Sequence, residues 1–191
     1  MILAADEVAR SLNGAWDLLN RRAQGLARFE FGEASFWRSF GAPFLAAPAF
    51  VVSLAADRLQ AGLFEGGSLF DNASVVARAG FDFAALWLTL PLLGIALASS
   101  LRVGRGLVPF IIVCNWSCVL AAAILAVPSL MLAIGWATAA LATLYSVAAI
   151  VIIMQMRWFT AKITLGVTSG VALMLATCDG LVGLGVLRAL V

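Results

Sequence analysis

The stretch LVPFIIVCNWSCVLAAAILAV, Leu107–Val127, carries no charged side chain over its 21 positions. A helix needs about 20 apolar residues to cross a hydrocarbon core of roughly 30 Å, so this segment has the length and character of a membrane span. Four further runs share its character: Phe36–Ala56 and Phe81–Leu101 before it, Leu130–Met154 and Ile163–Leu187 after it. Val127-Pro128-Ser129 leaves room only for a tight reversal, so the third and fourth runs are expected to form an antiparallel hairpin. The sequence therefore predicts an all-α integral membrane protein: five transmembrane helices within residues 36–191, preceded by a cytoplasmic amphipathic segment at residues 1–35.

Composition supports this class. Of 191 residues, 63% are hydrophobic and 12% charged, and the mean hydropathy is +1.05. A soluble domain is nearer half apolar and a quarter charged, and a fold of this size has too little interior to hide the excess. A water-soluble enzyme, a disordered chain and a nucleic-acid-binding module are excluded, and the net charge of +2 is too small for a polyanion-binding domain. There is no histidine, which removes imidazole acid–base catalysis, haem ligation by His and His-containing zinc sites. Cys114 and Cys118 share a helix face but lack further ligands, and with Cys178 they read as small packing residues. No catalytic, cofactor-binding or metal-binding residue is expected.

Before the first run, Val8, Leu12, Ala15, Leu19, Ala23 and Leu26 recur every three or four positions, with Arg10, Asn13, Asp17, Arg21 and Arg28 between them. This spacing predicts one amphipathic helix over Ala5–Arg28, lying in the headgroup plane or against a partner. Gly14 and Gly25 weaken it as an independent helix. Ser35 is the expected N-cap of the first span. Pro43 and Pro48 should kink that span or delay its start, and Pro91 should bend the second. The segment from Asp57 to Gly80 reads as a loop holding Gly66-Gly67, the sequon Asn72-Ala73-Ser74 and a short helix from Asp71 to Ala79.

Basic residues set the orientation. With the N-terminus cytoplasmic, nine lie inside (Arg10, Arg21, Arg22, Arg28, Arg38, Arg102, Arg105, Arg157, Lys162) and three outside (Arg58, Arg78, Arg188). The expected location is a bacterial inner membrane, N-terminus in and C-terminus out, with Trp37 and Trp158 at the inner interface. The preference for Arg over Lys fits a GC-rich bacterial genome.

Polar residues inside the apolar runs need protein partners or a water cavity. At 1.5 Å per residue, Asn115, Ser117, Thr143, Ser146 and Thr168 fall at similar depth and form a candidate polar layer, with the Asn115 amide bonding across to the fourth or fifth span. The layer reads as interhelical glue or as a pathway lining. Asp179 is the single carboxylate well inside a run, with no basic residue expected at its depth. It is either a proton or cation site, or a surface residue if the last helix ends near Cys178. Asp82 begins the second run and is expected at the interface. Gly166 and Gly170 form a small-xxx-small helix contact.

The five closely spaced spans after a polar N-terminal region resemble the Yip (Ypt-interacting protein) family in its bacterial branch. Phe36-Trp37-Arg38-Ser39-Phe40 and Val108–Leu120 (VPFIIVCNWSCVL) also resemble segments of small alphaproteobacterial membrane proteins of this layout. The resemblance covers residues 36–187, at the level of topology. It implies a multispan membrane protein without a recognised active site. The expected role is a non-enzymatic scaffold or accessory subunit of a membrane assembly. Its partners would be the lipid bilayer, other membrane proteins or a second copy, and no nucleic acid. The alternative is a small-solute or ion transporter or channel using the polar layer and Asp179.

Overall fold

A computed structural model describes residues 4–60, 73–101 and 104–189, and all regular structure among them is helical. Helix α1 spans Ala5–Leu19, a 3₁₀ turn follows at Ala23–Arg28, and α2 spans Glu33–Ser39. The apolar body consists of α3 (Ala42–Gln60), α4 (Ala73–Leu101), α5 (Gly104–Ala133), α6 (Ala139–Leu165) and α7 (Ser169–Ala189). Glu33–Ala56, Ala73–Ala98, Gly104–Ala133 and Ala139–Leu165 are long and apolar enough to cross a membrane, and the described apolar part of α7, Ser169–Gly183, is shorter.

The N-terminal amphipathic helix is shorter than its periodicity suggests. After Leu19 the chain reverses through Arg21 at φ 58°, and Ala23–Arg28 folds back beside α1. The two glycines explain the break. A side chain on Gly25 would meet the Gly14 carbonyl at 2.7 Å, so the two strands of chain touch where both residues lack a Cβ. Asp17 clamps the reversal by accepting from Arg28 Nε at 2.7 Å, with Arg22 at 3.6 Å. The apolar face packs on the bundle: Val8, Leu12 and Leu26 lie against a core of Ala15, Leu18, Ile112, Val113 and Trp116. Arg21 reaches Gln155 of α6 at 2.6 Å, and Gln155 donates to the Leu19 carbonyl.

The first segment long and apolar enough to cross a membrane begins with α2, whose N-cap is Gly32 rather than Ser35. Ser35 is buried, donating to Glu30 and accepting from Arg38 at 3.0 Å. The helix restarts at Ala42, so Pro43 falls in a first turn, where its missing N–H is harmless. Pro48 and Pro91 lie inside α3 and α4. Of the expected 57–80 loop, residues 57–60 end α3 and residues 73–80 begin α4, which takes in the described part of the short helix expected over 71–79; Gly66-Gly67, Asp71 and Asn72 lie outside the described residues.

The third and fourth spans do not turn at Pro128. Helix α5 runs through Pro128 to Ala133, and the chain reverses at residues 134–138. Gly135 adopts φ 76°, and Thr138 caps α6 by accepting from the Leu141 N–H. A glycine at a positive φ ends a helix at little cost, and a threonine at the N-cap starts the next. Helix α6 therefore begins at Ala139 rather than Leu130 and ends at Leu165 rather than Met154. That shift carries Arg157 from a loop into a helix.

Helix α5 is the centre of the bundle, and every residue from Phe110 to Ser117 is buried. A helix buried all round needs apolar side chains all round. Its first turn presses on the end of α6, where a Cβ on Gly106 would meet the Leu165 Cα at 2.9 Å. Outward, α6 exposes Leu141, Leu144, Val147 and Val151, and α7 exposes Leu173 and Leu181. An apolar face of this extent suits lipid rather than water.

Candidate functional site: two polar centres in the apolar bundle

The first centre is built on Asn115, fully buried on α5. Its Nδ2 donates to Ser39 Oγ at 2.8 Å, and its Oδ1 accepts from Trp87 Nε1 at 2.8 Å. Ser39 in turn donates to the Phe36 carbonyl at 2.7 Å. One amide thus joins the end of α2, the middle of α4 and α5, with its acceptor and one donor satisfied. Phe40 stacks edge-on against Trp87, with centroids 5.9 Å apart, and shields the cluster.

The Asn115 partners are therefore not on the fourth or fifth span, and the reason is geometric. With the α5–α6 reversal at residues 134–138, a position level with Asn115 on α6 lies near Arg157, not near Ser146. The expected polar layer does not assemble. Thr143 is exposed and donates to the Ala139 carbonyl at 2.9 Å, Ser146 is half-buried, and Thr168 is exposed and caps α7 by accepting from the Val171 N–H. Ser117 does lie in the core, near Asn115 on the same helix.

The second centre is an ion pair between Arg157 of α6 and Asp179 of α7. Asp179 is 1% exposed, and its helix continues to Ala189, so the residue is neither at a chain break nor at the surface. The expectation that no basic residue shares its depth fails for the same reason as the polar layer: α6 ends later than its hydropathy suggests. A charge in an apolar bundle persists only if paired. Two small cavities flank Arg157. One, of about 60 Å³, also touches Asp179, Met154 and Gly180. The other, of about 20 Å³, is lined by Trp87, Cys114, Ser117, Cys118 and Thr160 among others. The Ser117 and Thr160 hydroxyls are buried without a hydrogen-bond partner.

Another buried acid is Asp82, which is 1% exposed within α4 rather than interfacial, bonded by Arg78 one turn earlier at 3.1 Å. Gly166 and Gly170 do not form a helix contact. Gly166 ends α6 at φ 65°, Gly170 lies in α7, and nothing approaches the Cβ position of either. Close helix approach occurs instead at Gly106. Cys114 and Cys118 are free thiols facing the smaller cavity, and Cys118 donates to the Asn115 carbonyl at 2.9 Å. No cluster of three or more metal-binding side chains occurs among the described residues.

At the N-terminal cap, Arg38 binds Glu7 at 2.7 Å and Glu30 at 3.5 Å, while Arg10 binds Glu30 at 2.6 Å. Trp158 stands beside Lys162, whose ammonium lies 5.3 Å from the ring centroid, an arrangement suited to an interface. Comparison with protein-family models, curated proteins and solved structures finds no match.

Proposed function

We propose that the protein is a non-enzymatic, multispan component of a bacterial inner membrane, acting as a scaffold or accessory subunit of a larger membrane assembly. The observation that supports this most is Asn115. Its buried amide is used to fasten three segments through two 2.8 Å bonds, so a fully buried polar group of the bundle serves packing rather than lining a pathway. The topology that accompanies this reading has five crossings, a cytoplasmic N-terminus and an external C-terminus, in the layout of Yip-like proteins. Reporter fusions after Gly66, Gly104, Trp136, Val167 and Val191 are expected to alternate, beginning outside; a cytoplasmic C-terminus contradicts five crossings.

A second reading, transport of a small solute or ion, draws on the Arg157–Asp179 pair and its flanking cavities. One experiment separates the two. The scaffold reading expects Asn115→Ala to lower stability in detergent while purified protein in liposomes moves neither protons nor small ions. Uptake by the native protein that disappears in Asn115→Ala without a change in unfolding overturns it.

A further inference from the structure

Arg157 faces two ways. Toward α7 it meets the Asp179 carboxylate. Toward α5 it lines the cavity of about 20 Å³ that it shares with Ser117, Thr160, Cys114, Met156 and Trp87. A guanidinium has five N–H donors, and one carboxylate takes at most two of them in a fork. The cavity therefore receives a cationic donor surface with unused hydrogen-bonding capacity.

The other polar groups there also present donors. The Ser117 and Thr160 hydroxyls, 6% and 2% exposed as residues, are buried without partners. The Cys114 thiol is a weak donor. The Trp87 N–H is already committed to Asn115. No carboxylate lines this cavity among the described residues. A buried hydroxyl left unpaired carries its full desolvation penalty, so two on one small space call for an acceptor between them. The volume exceeds the roughly 10–15 Å³ that a water-sized occupant requires, and it suits a single atom rather than a polyatomic solute.

We propose that this cavity binds one small inorganic anion of halide size, held by the Arg157 guanidinium and the Ser117 and Thr160 hydroxyls. Asp179 is its competitor. One guanidinium balances one negative charge, so an anion added beside the intact pair leaves the centre net negative. Occupancy is weak while Asp179 is charged and rises when that charge is removed. The site is independent of whether the protein scaffolds or transports.

The test is equilibrium binding of radiolabelled chloride to the purified full-length protein in detergent, with bromide as competitor. Asp179→Asn is expected to tighten binding by about tenfold or more, because a full unit charge leaves the neighbourhood of the guanidinium. Arg157→Gln is expected to abolish it. Should Arg157→Gln fail to fold, the double variant Ser117→Ala with Thr160→Ala leaves the Arg157 guanidinium in place and is expected to weaken chloride severalfold in the Asp179→Asn background. Absence of displaceable chloride in both the native protein and Asp179→Asn, as for a cavity that holds water alone, overturns the proposal. So does binding that is indifferent to the two hydroxyls.

Discussion

The Asn115 and Arg157–Asp179 centres sit at comparable depth in the same bundle, yet they solve burial differently. Asn115 is neutral, and its two bonds reach Ser39 and Trp87 on separate elements. Losing one partner leaves the amide with one further unmet bond. Arg157 and Asp179 are charged, and each is the other's counter-ion. Losing one leaves a bare charge in an apolar interior, which is far costlier. The neutral centre fastens several segments at modest stakes, whereas the charged one makes α6 and α7 depend on each other.

The largest expected effect follows from that dependence. Arg157→Ala or Asp179→Ala is expected to lose about 3–5 kcal/mol, while replacing both by apolar residues of similar volume recovers most of it. Denaturant unfolding in detergent micelles measures both. A double replacement no better than the single ones would remove the distinction between the centres.

Next comes Gly106, whose close approach to Leu165 sets α5 against α6 and so brings both centres to one level. Gly106→Ala is expected to cost about 1–3 kcal/mol through overpacking and to perturb the Trp87 environment. Unchanged stability and tryptophan fluorescence would detach the centres from that contact.

Asn115→Ala is expected to cost about 0.5–2 kcal/mol, the scale of one or two interhelical hydrogen bonds, and Ser39→Ala less. A loss as large as that of Arg157→Ala would show that the neutral centre carries more than fastening. The smallest effect belongs to the partly exposed Arg10–Glu30 pair at the cap. Arg10→Ala is expected to change stability by less than about 1 kcal/mol, and less still at high salt. It gives the water-side reference for the buried pair.

Hydropathy made the helical class and the long apolar segments legible, because lipid-facing surface is a property of composition. Asn115 stood out because an amide is rare in such a run. Its partners did not, since Ser39 sits near a helix break and Trp87 reads as one more aromatic. The ion pair was hidden by a boundary. Arg157 falls where hydropathy drops, which places the end of the fourth span before it, and Pro128 reads as the preceding turn. The better punctuation was present: Gly135 with Thr138 at one end of α6, and Lys162 with Gly166 at the other, the signature of a basic last turn closed by a left-handed glycine. Gly166 and Gly170 misled for the opposite reason, because a motif spanning a helix end has no single face to present.

Exchanging the charges, Arg157→Asp together with Asp179→Arg, tests most directly whether the two residues form one paired unit. Each single reversal places two like charges together and is expected to unfold the protein or prevent its accumulation. The exchanged protein should unfold cooperatively in detergent within about 2 kcal/mol of the native one, because the coupling between contacting groups is restored. An exchanged protein no more stable than the worse single reversal would contradict the pairing of α6 with α7 through these side chains.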